Sequence, residues 1–205
     1  MNKYTITLFL LVLSAMGFWV FSNPGREEIT NYPVKGTKIV ALGDSLIQGI
    51  GATKQNELPS LLAKKIGLPI LNMGISGNTT ADGLARIDKV IEQKPDIVLL
   101  LLGGNDFLRK VPKETTFKNI DSIVSTLQQN GSLVILLGVQ GGVLTDGYDE
   151  YFEEVAKTRK TLYVPNVLDG IIGRKELMSD SIHPNDLGYA KIADKIYPVL
   201  QKALE

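Results

Sequence analysis

Three short apolar runs limit what this 205-residue chain can fold into: residues 39–42 (IVAL), 97–102 (IVLLLL) and 133–137 (LVILL). A strand with one wet face alternates apolar and polar residues. These runs do not alternate, so both faces must be covered, as in a parallel sheet clad by helices. Residues 69–73 and 162–165 read as two further short strands. The stretches between carry helical spacing. Residues 57–67 have Pro59 near their start and Gly67 at their end, both helix punctuation. Residues 80–93 place Leu84, Ile87, Val90 and Ile91 on one face. Residues 115–130 align Phe117, Ile120, Ile123, Val124 and Leu127 in one stripe, with Gly131 as the stop. Residues 151–160 and 185–203 complete the series, the last with Ile192, Ala193, Ile196 and Leu200 in register and Pro198 expected to kink or split it. Strands alternating with helices predict a three-layer α/β/α domain around a five-stranded parallel sheet.

In such a sheet the segments after the strands gather at one edge, where ligands bind. Here they are Gly43-Asp44-Ser45, Gly74 to Asn78, Gly103-Gly104-Asn105-Asp106 and Gly138 to Gly142. The first puts a hydroxyl at a strand end, where Asp44 or Ser45 can cap a following helix.

Composition narrows the chemistry. Lysine plus arginine and aspartate plus glutamate each number 22, so there is no electrostatic footprint for nucleic acid. The absence of cysteine excludes disulfides, thiol catalysis and zinc–thiolate sites. His183 is the one histidine, which excludes a multi-histidine metal site; no metal or other cofactor is expected. No Gly-x-Ser-x-Gly elbow and no phosphate-binding Gly-x-x-x-x-Gly-Lys-Ser/Thr loop is present.

A serine nucleophile needs a base, and the base needs an orienting group. His183 is the base on offer. Asp180, three residues earlier, can bend back to its Nδ1; Asp186 is the alternative, although the helix beginning near Asn185 is expected to carry it away. With these residues in view, the chain resembles the SGNH (GDSL-type) hydrolase family. Four blocks match in order: Gly43-Asp44-Ser45-Leu46, Gly77 within residues 72–79, Gly103-Gly104-Asn105-Asp106, and Asp180-Ser181-Ile182-His183-Pro184. The likeness is greatest to the bacterial exported acyl-CoA thioesterase/lysophospholipase and arylesterase branch. The resemblance implies a flavodoxin-like fold, with Ser45 as nucleophile, His183 as general base and then acid, and Asp180 orienting it. It further implies an oxyanion hole from the Ser45 and Gly77 backbone N–H groups and the Asn105 amide. Asp44 and Asn72 are expected to tie loops together. The implied activity is hydrolysis of carboxylic esters or thioesters of small or lipid acyl substrates. Two alternatives are a carbohydrate O-acetyl esterase acting on exported polysaccharide or peptidoglycan, and a non-catalytic anchored binding domain. Leu46, Ile47, Phe107, Leu108, Val143 and Leu144 are candidates for meeting an acyl chain. The glycine-rich residues 138–148 match no block of the branch, which leaves substrate choice open.

The amino terminus is a separate object. No charge occurs from Tyr4 to Gly25, and residues 6–21 are almost wholly apolar, with Lys3 before them and Arg26, Glu27 and Glu28 after. Residues 1–22 read as a cleaved signal peptide or a retained membrane anchor. Either would place the rest outside the cytoplasm, with Lys3 inside. Residues 23–36, with two prolines and two glycines, read as a linker, and residues 37–205 as the domain.

Overall fold

The computed structural model describes residues 28–140 and 147–205, so the expectations for residues 1–22 and for Val143 and Leu144 lie outside the described residues. Among the described residues no helix is long and apolar enough to cross a membrane.

The five expected strands form: β1 (Ile39–Gly43), β2 (Ile70–Gly74), β3 (Ile97–Leu101), β4 (Leu133–Leu137) and β5 (Leu162–Val164). All neighbours are parallel, in the order β2-β1-β3-β4-β5. The unalternated runs β1, β3 and β4 are buried along their whole length and fill the middle of the sheet. β2 and β5 are the edges, and β2 exposes Leu71. Helices cover both faces: α1 (Ser45–Gln48), α2 (Leu58–Ile66), α3 (Thr80–Ala85), α4 (Ile87–Ile91), α5 (Gly104–Leu108), α6 (Lys113–Gln129), α7 (Tyr148–Arg159) and α8 (Asp186–Ala203).

The sequence reading and the fold differ in four places. Residues 80–93 form two helices, because Arg86 leaves helical geometry at φ −114°, ψ 15°. Its guanidinium is drawn to the sheet edge, donating to Asn78 Oδ1 (2.8 Å), the Met73 carbonyl (2.9 Å) and the Gly43 carbonyl (2.9 Å). The helix expected at residues 151–160 begins three residues earlier. Gly147, at φ 76°, turns the chain, and buried Tyr148 wedges its ring edge-on between Phe107 and Phe117. Pro198 does not split α8. The carbonyl freed by its missing N–H belongs to Asp194; both residues are exposed, so water can satisfy that carbonyl. The expected linker is docked from Thr30 onward. Thr30 N–H donates to the Lys160 carbonyl (2.9 Å), and Asn31 Nδ2 donates to the carbonyls of Gln128 (2.8 Å) and Ser132 (2.9 Å). Ile29 and Val34 pack against the core.

Candidate active site

Ser45 stands two residues beyond β1, at the first position of α1. Asp44 caps that helix, its Oδ1 accepting from the Leu46 N–H at 3.0 Å. The Ser45 N–H therefore lies in a turn whose amides have no intrahelical acceptor.

His183 comes from the other end of the chain. Its loop is closed by a bridge between Met178 and Pro184, and the Ser179 N–H donates to the His183 carbonyl at 2.9 Å. Inside that loop Asp180 folds back: Oδ1 accepts from the N–H groups of Ile182 (2.8 Å) and His183 (2.7 Å), and Oδ2 meets His183 Nδ1 at 2.7 Å. An ionised carboxylate only accepts, so Nδ1 carries the proton and Nε2 presents a lone pair. Nε2 lies 3.0 Å from Ser45 Oγ, so the hydroxyl donates to it. The hydrogen bond from the His183 ring, followed by that from the Ile182 amide, holds the Asp180 carboxyl down at about 2. Asp186 is engaged elsewhere, accepting from Thr53 N–H (2.7 Å), Thr53 Oγ1 (2.6 Å) and Asn56 Nδ2 (3.1 Å). The open choice between the two aspartates falls to Asp180.

Asn105, at the start of α5, faces the same cleft. Its Nδ2 donates to the Asn78 carbonyl at 3.0 Å and, more weakly, to Asp44 Oδ2 at 3.3 Å. Gly77 adopts φ 81°, a left-handed backbone that favours glycine, and its carbonyl accepts from Arg109 at 2.8 Å. Gly77 itself is not among the residues lining the cleft; its neighbour Asn78 connects it to Asn105. Asn72 ties loops as expected: Nδ2 donates to the Ile47 carbonyl (2.9 Å) and Oδ1 accepts from the Gly74 N–H (2.9 Å). Burial pushes the Asp44 carboxyl up to about 6, against the stabilising Leu46 amide and the nearby His183.

The cleft walls are largely apolar: Leu46, Leu108, Val139, Leu168, Ile172 and Ile182. Of the expected acyl-contact residues, Leu46 and Leu108 are here. Ile47 is fully buried beneath the site, and Phe107 turns away to Tyr148. Sequence reasoning missed Leu168, Ile172 and Ile182, whose segments lie outside any periodic element. It also missed Arg86 and Arg109, which carry no local signal because most of their partners are backbone carbonyls distant in sequence.

Asp106, beside Asn105, is buried and braces this edge. It accepts from Thr80 N–H (2.8 Å), Thr80 Oγ1 (2.6 Å) and Thr116 Oγ1 (3.4 Å), joining α3 to α6. Asp106→Ala is expected to leave these donors unsatisfied and to lower unfolding stability by about 2–3 kcal/mol. Denaturant melts compared at pH 7 test it; an unchanged midpoint would mean that the network carries no net stability.

The assembled site is a hydroxyl, an imidazole and a carboxylate in one hydrogen-bonded line, at the carboxyl edge of a parallel sheet. The GDSL-like Lipase/Acylhydrolase family profile matches residues 41–191. The chain is 30% identical to Esterase TesA of Pseudomonas aeruginosa over 178 residues, covering 81% of this chain and 89% of that protein. It is 28% identical over 172 residues to Thioesterase 1/protease 1/lysophospholipase L1 of Escherichia coli, covering 80% of this chain and 83% of that one. Its fold superposes on the psychrotrophic esterase EstA from Pseudoalteromonas, solved inhibited by monoethylphosphonate, with a TM-score of 0.75 at 27% identity, over 82% of this chain and 99% of that one. The chain belongs to the GDSL-like lipase/acylhydrolase family, and it is a serine hydrolase of ester substrates.

Proposed function

We propose that Ser45 attacks the acyl carbonyl of an ester or thioester, with His183 as base and Asp180 as its orienting partner. The observation that carries this reading is the unbroken line Ser45 Oγ–His183 Nε2 (3.0 Å) and His183 Nδ1–Asp180 Oδ2 (2.7 Å). The Ser45 proton passes to Nε2 as Oγ bonds to the carbonyl carbon. The imidazolium then returns that proton to the leaving alcohol or thiol. Water, deprotonated by the same nitrogen, releases the acid and restores the hydroxyl.

The developing oxyanion is met by the Ser45 and Gly77 N–H groups and by Asn105. The Asn105 bond to the Asn78 carbonyl fixes its amide plane, and the longer contact to Asp44 is the one exchanged for the oxyanion. Asn105→Ala is expected to cost about 2.7–4 kcal/mol, a 10²–10³-fold fall in kcat with little change in KM. Steady-state kinetics on a p-nitrophenyl ester test this; a loss confined to KM would remove Asn105 from the oxyanion hole.

The apolar cleft supports an acyl chain as the recognised part, and rates across p-nitrophenyl acetate to decanoate rank the preferred length. A sharp preference for acetate would favour the O-acetyl esterase reading instead. Labelling by a fluorophosphonate probe, lost in Ser45→Ala, separates either enzyme from a non-catalytic domain. Residues 1–22 are proposed to place the enzyme outside the cytoplasm; activity confined to the cytosolic fraction of cells expressing the full chain would refute that.

The acid side of the pH profile is expected to follow Asp44 rather than Asp180. Asp180 stays ionised down to about pH 2, whereas Asp44 takes up a proton as pH falls through about 6 and ceases to attract the imidazolium. Protonation of the imidazole also removes the base. Activity is therefore expected to decline below about pH 6. A profile flat from pH 5 to 8 would count against both assignments.

A further inference from the structure

The docked segment before β1 fixes how the domain is presented to whatever holds its amino terminus. Lys160, Ser132 and Asp96 are the residues just before or close before β5, β4 and β3, so they mark the amino edge of the sheet. The chain crosses that edge in order. Thr30 is held at the Lys160 and Arg159 carbonyls, and Asn31 at those of Gln128 and Ser132. The Lys38 N–H then donates to Asp96 Oδ2 at 2.9 Å as the chain enters β1. Ser45, Asn105 and His183 gather at the opposite, carboxyl edge. The five-residue strands alone separate the edges by roughly 17 Å, and a compact domain of this size is about 40 Å across.

Only eight residue steps separate Ser22 from the docked Thr30, a reach of at most about 29 Å even fully drawn out. That is less than the domain's width of about 40 Å, so while the stem stays docked the domain cannot turn over to press its carboxyl edge onto a bilayer entered at Ser22. We infer that, when residues 4–22 are retained as an anchor, the stem from Thr30 to Lys38 holds the Ser45 edge facing away from that bilayer, so the enzyme acts on esters presented from the aqueous side rather than on acyl lipids of its own membrane. The inference rests on the anchored form of the proposed function and narrows its substrate class.

The absence of native cysteine makes the test direct. Full-length protein with Glu92→Cys, exposed at the amino edge, or Lys54→Cys, exposed in the loop between α1 and α2 at the carboxyl edge, is labelled with a donor dye. Each is reconstituted into vesicles carrying a headgroup acceptor dye. Energy transfer is expected to be at least about threefold greater from position 92 than from position 54, given the domain diameter. Inserting twenty glycine and serine residues after Ser22 is expected to raise hydrolysis of p-nitrophenyl decanoate doped into the same vesicles by about tenfold, each rate normalised to that protein's own rate in detergent micelles, because a longer tether raises the site's effective concentration at the surface. Hydrolysis of soluble p-nitrophenyl butyrate is expected to stay the same. Equal transfer from both positions, or equal normalised rates, overturns the orientation while leaving the anchor intact. Protein shortened near Ser22 and recovered in the vesicle wash overturns the anchor, and the inference with it.

Discussion

Ser45→Ala is expected to lower p-nitrophenyl ester hydrolysis by about 10⁴-fold or more, since members of a catalytic line act as a unit and losing the nucleophile removes nearly all of its effect. The fold is expected to survive. Ser45 contributes one side-chain bond, to His183, while the cap of α1 comes from Asp44 and the strand below from β1. The checks are kcat/KM and a thermal melt on the same preparation. Residual activity within tenfold of the parent would remove Ser45 from the mechanism; a collapsed melt would make the loss a folding defect, and Ser45→Cys would then be the variant to assay.

Asp180→Asn is expected to be more damaging than Asp180→Ala, which reverses the usual ranking of a conservative and a drastic change. The backbone N–H groups of Ile182 and His183 both donate to Asp180 Oδ1. An asparagine amide must keep its oxygen toward them and so turn its NH₂ toward His183 Nδ1. That nitrogen must then accept, the proton moves to Nε2, and Nε2 loses the lone pair that takes the Ser45 proton. A wrong tautomer of this kind costs about 10⁴ in kcat. Alanine leaves Nδ1 to water, because half of the Asp180 side-chain surface is exposed, and the active tautomer stays accessible. A smaller loss in the asparagine variant would refute the tautomer argument. The carboxyl's depressed pKa also has a sign for stability. Its contribution is fully present above the ordinary carboxylate value of 3.8 and is lost as pH falls through about 2, so both variants forfeit it at neutral pH and a thermal melt accompanies each kcat measurement.

Asp44 works in the opposite direction. Its carboxyl is raised to about 6, so its ionised form opposes folding above that pH, and the opposition fades toward 3.8. A buried anion is retained beside the site although it costs stability, while it caps α1, contacts Asn105 and attracts His183.

The sheet was legible because β1, β3 and β4 are unalternated apolar runs, a pattern that is stable only with both faces covered. The place of Ser45, Asn105 and Gly77 near the carboxyl edge was legible because each follows a strand, and all strands point the same way. The break at Arg86 and the early start of α7 were not. The first depends on carbonyls of Gly43 and Met73 contributed by β1 and β2, and the second on rings of Phe107 and Phe117 that reach Tyr148 only after folding. Local periodicity sees neither.

By itself, the sequence determined the layer architecture, the strand ends that meet at one edge, and the residue types available for acyl transfer, because those follow from burial and from chemistry carried within short segments. Tertiary structure alone decided that Asp180 and not Asp186 faces His183, that Leu168, Ile172 and Ile182 wall the cleft, and that the supposed linker is docked across the far edge. Each of these rests on contacts between segments remote in the chain, or on the turn of a single loop, and hydrogen-bond geometry selects among partners that composition leaves equivalent.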